Sequence, residues 1–447
     1  MRVPVDWRHP AGASVGLAVV RHRASDPARR IGSLVVDPGG PGGSGLDFVE
    51  QGAADLSAGL LARFDLVSWD PRGVGQSHPV RCDSALLDHP ASLFPTTEPE
   101  LDVLKTYNEE LRASCRADTG PLYDHLDSTS NARDLNAFRA ALGEDELTFF
   151  SISYGTLIGE QYAELFPHRI RAMALDSNED HSVGALTWVT RLSQAQEQSY
   201  GQFARWCGRT PACALYPRDA QSVLDRLYAR AQEGTISVPG FPGNAITPQI
   251  LIDFIRGELG GIAKWPDLAQ NLLAVLNEPA VTATATAGPA TVARPMSATS
   301  SPSEEAAKTA MVCEDHQWDI SSLADLRTLR RAMARSAPHT HLSTTGFKDV
   351  TGCLGWPHPV ADPQHTLVVR GAPSILMVNS RYDVATPYPG ARRAAAQIGP
   401  SAILLTYDGT SHVDYEETDC VRSAVDRYLT DLITPAPDTH CPAVFPR

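Results

Sequence analysis

The architecture this sequence predicts is an α/β fold: a mostly parallel sheet with helices on both faces and a large, mainly helical insertion. Three observations lead there. Short apolar runs without polar alternation, such as Glu146-Leu147-Thr148-Phe149-Phe150 and Pro373-Ser374-Ile375-Leu376-Met377-Val378-Asn379, read as strands covered on both faces. Stretches of helical period lie between them, as parallel crossovers require. The residues best suited to chemistry, Ser153, Asp383 and His412, each follow a strand-like run, which is where open parallel sheets gather functional groups.

In chain order, Ser14 to Arg23 and Ile31 to Val36 read as the first strands, followed by Phe64 to Trp69 and the turn Asp70-Pro71-Arg72-Gly73. Ser128 to Leu142 has helical spacing, with Ala132, Leu135, Phe138, Ala141 and Leu142 on one face. After the strand at Glu146 comes a helix, Leu157 to Phe166, that ends before Pro167, and Arg169 to Asp176 is the next strand. From about residue 178 to 365 the pattern turns helical, as in Leu186–Arg205 and Gln221–Gln232, the usual place of a substrate-covering cap. Strands resume at Pro373 and at Ala402 to Tyr407, and Val421–Leu432 is the closing helix. The chain is thus expected to divide into core residues 1–177, a cap at 178–365 and core residues 366–447. Within the cap, 280–303 is rich in Ala, Thr, Pro and Ser and reads as a flexible loop.

The chemistry centres on Ser151-Ile152-Ser153-Tyr154-Gly155-Thr156, between an apolar strand and an amphipathic helix. A serine on so sharp a turn is lifted clear of the sheet, and only small neighbours fit beside it. Ser153 is therefore the expected nucleophile. Asp383 follows the strand ending at Asn379, and His412 lies in the loop after Tyr407. In that order Asp383 orients the imidazole of His412, which takes the proton from Ser153 Oγ. Acyl transfer also needs preorganised donors for the oxyanion. The Tyr154 N–H is one, and the glycine-rich run Asp37 to Gly45 offers more without side chains in the way. Two prolines in that run argue against a flexible linker, and no Lys-Ser/Thr pair follows to make a phosphate-binding loop. Ser44 is the rival nucleophile but lacks elbow spacing.

Pro38-Gly39-Gly40-Pro41-Gly42-Gly43-Ser44-Gly45, Trp69-Asp70-Pro71-Arg72-Gly73-Val74-Gly75-Gln76-Ser77 and the Ser153 turn together resemble the prolyl-aminopeptidase-like branch of the α/β-hydrolases. Within it the chain is most similar to the secreted tripeptidyl aminopeptidases of actinobacteria and their carboxylesterase relatives, over nearly its whole length. The resemblance implies Ser153, Asp383 and His412 as the triad and the Gly40 amide as an oxyanion donor. The chain departs from the family with Ser151 in place of Gly and with Ser411-His412-Val413 where Gly-His-Gly is usual.

Composition excludes several alternatives. A formal charge of −14 disfavours nucleic acid and anionic membranes as partners. No apolar run approaches the roughly 20 residues needed to cross a bilayer. The eight cysteines contain no C-x-x-C pair and no histidine cluster has zinc-finger spacing, so no metal is expected. An even number fits disulfides and an oxidising compartment. Connectivity stays open; neighbouring pairs, 82–115, 207–213, 313–353 and 420–441, are the simplest, and free cysteines in a cytosolic enzyme are the alternative. Met1 to Trp7 enters the domain without a leader-like segment, so the expectation is a mature or trimmed form of an exported enzyme.

Function is expected to be serine exopeptidase action near a free amino terminus, with no cofactor. An ammonium calls for a carboxylate, and Glu179, Asp180, Glu314 and Asp315 are the candidates. A carboxylesterase or thioesterase with the same machinery is the alternative, and a silent hydrolase-fold binding protein a third. Each substrate expected is a peptide or small acyl compound.

Overall fold

The computed structural model describes residues 1–52, 55–279 and 301–446. Twelve strands are formed there: β1 (Arg2–Pro4), β2 (Ser14–Gly16), β3 (Val19–His22), β4 (Gly32–Asp37), β5 (Phe64–Trp69), β6 (Leu147–Ile152), β7 (Ile170–Asp176), β8 (Ser237–Val238), β9 (Phe241–Ala245), β10 (Ile375–Ser380), β11 (Ala402–Tyr407) and β12 (His440–Cys441). Eight make the central sheet, in the order β12-β11-β10-β7-β6-β4-β5-β3. All its pairings are parallel except that of β3 with β5.

The strands are mostly apolar because helices cover both faces. Every residue of β4, β5, β6 and β10 is buried. Alternate residues serve opposite faces. Val35, Val67, Phe149, Met173 and Met377 pack with α5 (Ser128–Ala141), α6 (Gly155–Leu165) and α14 (Tyr388–Ile398). Val36, Leu66, Phe150, Ala174 and Val378 pack with α1 (Gly45–Gly52), α2 (Ala58–Arg63) and α15 (Asp419–Asp431).

Sheet order explains where a site can form. β4 lies between β5 and β6, so the chain leaves β4 one way and returns on its other side. The loops beyond the carboxyl ends of β4 and β6 diverge and leave a crevice. The glycine-rich loop and Ser153 both sit there.

Between β5 and α5 the chain forms α3 (Ser84–Asp88) and α4 (Glu98–Thr119). Between β7 and β10 it leaves the sheet for α7 (Ala185–Cys207), α8 (Ala220–Gln232), α9 (Pro248–Glu258), α10 (Trp265–Asn277), α11 (Pro302–Asp315), α12 (Leu323–Ser336) and α13 (Thr344–Gly352). Tyr200, Phe203, Trp206, Leu224, Ile252 and Trp265 form one apolar cluster of this region. A second joins Val189, Leu326 and Phe347 to Tyr154 and Leu157 of the core.

Four disulfides connect Cys82 with Cys115, Cys207 with Cys213, Cys313 with Cys353 and Cys420 with Cys441. These are the nearest-neighbour pairs. The run expected as one strand from Ser14 to Arg23 is two: β2 pairs with β1 in a separate small sheet, and β3 joins the main one. Ala141 is exposed, because it is the last residue of α5 and the helix face has turned away from the core. Residues 280–300 of the expected flexible loop lie outside the described residues; Ser301 caps α11 and Pro302 and Ser303 begin it. Among the described residues no helix is long and apolar enough to cross a membrane.

Candidate active site

β6 ends at Ile152 and α6 begins at Gly155, so the chain turns sharply at Ser153, whose φ is 56°. A non-glycine residue holds that conformation only when its surroundings impose it. Here the Ser153 N–H donates to the Asp176 carbonyl at 2.9 Å, and the Thr156 N–H and Oγ1 donate to the Ser153 carbonyl at 2.8 and 2.7 Å. A Cβ on Gly155 would come within 2.9 Å of the Asp37 carboxyl. The small neighbours are therefore a steric requirement.

His412 Nε2 lies 2.9 Å from Ser153 Oγ, and its Nδ1 lies 3.0 and 3.1 Å from the two oxygens of Asp383. Asp383 is fully buried and accepts from the Ala385 and Thr386 amides at 2.7 and 2.8 Å and from Thr386 Oγ1 at 2.7 Å. Burial alone would raise the Asp383 carboxyl, but His412 and these donors hold it below the ordinary carboxylate value. Burial likewise works to lower His412, and Asp383 overcomes it to leave the imidazole above its ordinary value.

The histidine loop is fastened from two directions. The Val413 N–H donates to Ser177 Oγ at 2.9 Å, and the Asp414 and Tyr415 amides donate to the Asp176 carboxyl at 3.0 and 2.8 Å. From the helical region, the Gly260 carbonyl accepts the His412 N–H at 2.8 Å and Gly261 bridges to Ser411. Gly260 and Asp176 were not singled out by sequence; a backbone contact across such a separation leaves no local signal.

The glycine-rich loop rests directly on the turn. Gly39 has φ 74°, and a Cβ there would fall 2.2 Å from the Ile152 carbonyl and 2.9 Å from the Tyr154 amide. Gly40, with φ 122°, would collide with the Gly43 amide. Only glycine fits either position. Among the described residues the Gly40 and Tyr154 amides have no protein acceptor. Ser44 Oγ donates to Asp70 at 2.6 Å, and Asp70 also accepts from the Leu46 and Gln76 amides. Ser44 thus braces the loop.

The four acidic candidates separate clearly. Asp315 is fully buried and accepts from the Ser128 amide, Ser128 Oγ and Tyr154 Oη at 2.7, 2.6 and 2.6 Å. Asp180 is ion-paired with Arg191 at 2.6 Å and lies 3.7 Å from Arg393. Glu314 is pushed up to about 8 by burial, then by Asp127 and Asp124, charges outside the triad. Glu179 is also pushed up to about 8, by burial and then by Asp349, Asp383 and Asp180. Among the described residues no basic side chain forms an ion pair with Glu179. Its amide donates at 3.0 Å to Thr156 Oγ1, itself bound to the Ser153 carbonyl. Asp349, on α13, accepts from Trp188 Nε1 at 3.0 Å and is raised by burial to about 6; nothing in its sequence context marked it.

Residues 340–441, which include Asp383 and His412, match the TAP-like protein family. Tripeptidyl aminopeptidase of Streptomyces lividans is 29% identical over 100% of this chain and 83% of its own length. Serine protease Hip1 of Mycobacterium tuberculosis is 29% identical over 99% of this chain and 86% of its own. Carboxylesterase B of the same organism is 30% identical over 98% of this chain and 85% of its own. The chain belongs to the TAP-like α/β-hydrolases. Among solved structures, proline iminopeptidase of Mycobacterium smegmatis aligns with a TM-score of 0.43 at 17% identity, over 97% of this chain and 98% of that one. This TAP-like hydrolase is an enzyme, a serine peptidase or esterase.

Proposed function

We propose that this hydrolase is a serine exopeptidase that cleaves peptides near a free amino terminus. Ser153 Oγ attacks the scissile carbonyl while His412 Nε2 takes its proton, and Asp383 steadies the imidazolium. The Gly40 and Tyr154 amides, without a protein acceptor among the described residues, receive the oxyanion. His412 returns the proton to the leaving amine. Water, deprotonated by the same imidazole, then hydrolyses the acyl-enzyme and regenerates Ser153.

One observation carries the peptidase reading over the esterase one. Glu179 is a carboxyl raised by burial and then by Asp349, Asp383 and Asp180, and among the described residues no basic side chain forms an ion pair with it. Among neighbouring charges, Asp349 acts on it most strongly. Such a group is costly to keep charged unless a cation arrives, and the ammonium of a peptide supplies one. Asp180 and Asp315 are already engaged, so their part in this reading is to hold the loops, and Glu314 plays no part in it. We assign residues 178–365 as the cap, in line with the Gly260 and Gly261 contacts to the histidine loop. A tripeptide acyl group fits the name of the Streptomyces lividans relative, and four disulfides fit an extracellular or envelope setting.

The test is Glu179→Gln, assayed on a tripeptide arylamide with a free amino terminus, its acetylated form and a small acyl ester. Losing the charge-assisted contact costs roughly 1.5–3 kcal/mol on the free peptide, about ten- to a hundredfold in kcat/KM. The other two substrates change little. Equal cleavage of free and acetylated peptide by the wild-type enzyme would favour the esterase reading, which the similarity to carboxylesterase B supports.

A further inference from the structure

Away from the triad, a second group of chemistry-bearing side chains has no part in acyl transfer. His181 lies in the loop after β7, and Asp362 and His365 lie in the segment between α13 and β10. One potential ligand atom from each of the three falls within 4.8 Å of the others. His181 and Asp362 are 2% and 6% exposed, while the His365 side chain is about a third open to solvent, with a relative exposure of 36%. The group is therefore a buried pair closed by one accessible imidazole.

The hydrogen bonds around it are those of a metal's outer shell. His181 Nε2 is bonded to the Asp315 carbonyl, and its Nδ1 lies 3.4 Å from Gln161 Nε2, with the Asp362 backbone also against the imidazole. His365 Nε2 lies 2.8 Å from the Glu164 carboxylate, and its Nδ1 lies 3.2 Å from the Pro363 carbonyl and 4.0 Å from Asp362. Metal-bound histidines characteristically give their second nitrogen to a carbonyl or carboxylate, and both do so here. Asp362 Oδ2 is buried with no hydrogen-bond partner. An ion pair between His365 and Glu164 would explain those two residues, but not the orphaned Asp362 oxygen. Burying such an oxygen unpaired is expensive.

We propose that His181 Nδ1, Asp362 Oδ2 and His365 Nδ1 form a binding site for a divalent cation of the zinc class. Two imidazoles and a carboxylate suit tetrahedral zinc, with water in the fourth position. Donors about 2.0–2.1 Å from zinc are ~3.3 Å apart, so the partly exposed His365 swings inward on binding and its Nδ1 gives up the Pro363 carbonyl. The ion would join three pieces of chain: the loop after β7, the segment before β10 and, through Glu164, the end of α6. His181 also holds the Asp315 carbonyl, and the Asp315 carboxyl holds Tyr154 Oη. The site is therefore a clasp behind the nucleophile turn.

The experiment uses tag-free protein stripped with a chelator and titrated with zinc chloride, followed by calorimetry and by thermal unfolding. One zinc per chain is expected, with unfolding shifted upward as zinc saturates. His412→Gln should keep this binding, which separates the site from the triad imidazole. Asp362→Asn and His365→Gln should weaken it more than tenfold, and Glu164→Gln about ten- to a hundredfold as an outer-shell change. Cobalt(II) in the wild-type protein gives a readout that needs no variant: intense tetrahedral d–d bands support the site. Absent saturable zinc binding, a cobalt spectrum like the free aqua ion, or binding lost in His412→Gln but kept in Asp362→Asn, overturns the proposal.

Discussion

In the proposed mechanism, Ser153, Asp383 and His412 set the pH behaviour expected of this enzyme. His412 must be neutral to accept a proton. Its folded pKa is raised above the ordinary imidazole value, with Asp383 outweighing burial, so the acid limb of kcat/KM should lie above that value. Asp383→Asn removes the charge responsible. The limb should then move to lower pH, while the plateau falls by about 10⁴, the loss seen when such an imidazole loses its orienting carboxylate. A pH profile of the variant checks both; an unmoved limb would assign it to another group. Ser153→Ala should abolish turnover with little change in stability, since the partly exposed hydroxyl contributes no packing. Near-normal turnover in that variant would remove Ser153 from the mechanism.

Elements are joined to one another by buried polar contacts that few substitutions can replace. Arg72, in the turn after β5, donates from Nε and Nη2 to Asp134 of α5 at 2.8 and 2.7 Å, and neither side chain has any solvent exposure. Its remaining donors reach the carbonyls of Pro4, Val5 and His125, and Trp7 Nε1 donates to Asp134 at 2.9 Å. One guanidinium thus fastens the amino-terminal strand region to the sheet and to α5. Arg72→Met should destabilise the fold by about 3–5 kcal/mol, because it leaves Asp134 buried without its partner. Arg72→Met with Asp134→Leu should recover much of that loss. Urea unfolding midpoints of the two variants test it; a single variant as stable as the wild type would show that the pair is not a structural tie.

At the scale of the whole molecule, stability should decline as pH rises from about 6 to 9. Glu179 and Glu314 titrate near 8 in the fold and Asp362 near 7, all raised first by burial. A carboxyl raised in the folded state favours folding while protonated, and that advantage is lost progressively as pH rises from its unfolded value through its folded one. His365 is raised to about 9, chiefly by Glu164, and its contribution is present below the unfolded imidazole value and lost as pH climbs through 9. The two effects act in the same direction. His181, lowered to about 4 by burial, opposes them only below the unfolded imidazole value. Thermal unfolding of chelator-stripped, zinc-free protein across pH 5.5 to 9 should show this decline, and a midpoint rising to pH 9 would contradict it. Reduction should also lower the midpoint, each bridge contributing about 2–4 kcal/mol; insensitivity to reductant would mean the bridges carry little of the stability.

Much of this was legible in the chain alone, for a physical reason. Strands covered on both faces must be mostly apolar, so β5 and β11 could be read to the residue and β4, β6, β7 and β10 to within two. A serine at a strand-to-helix turn needs small neighbours, so Ser151 to Gly155 stands out locally. Asp383 and His412 could be chosen because each follows a strand, although the separation between them and Ser153 carries no distance information. The carboxylates were different. Glu179, Asp180, Glu314 and Asp315 look alike in sequence, and only packing set them apart: Arg191 reaches Asp180, three donors reach Asp315, and among the described residues no cation pairs with Glu179. The break between β2 and β3, and the meeting of His181 with Asp362 and His365, likewise depend on long-range pairing. Sequence by itself determined the fold class and the kind of chemistry, because both rest on local pattern. Which charges are neutralised, and so what the pocket can attract, was decided only by tertiary structure, because a charge's partner is chosen by proximity in space.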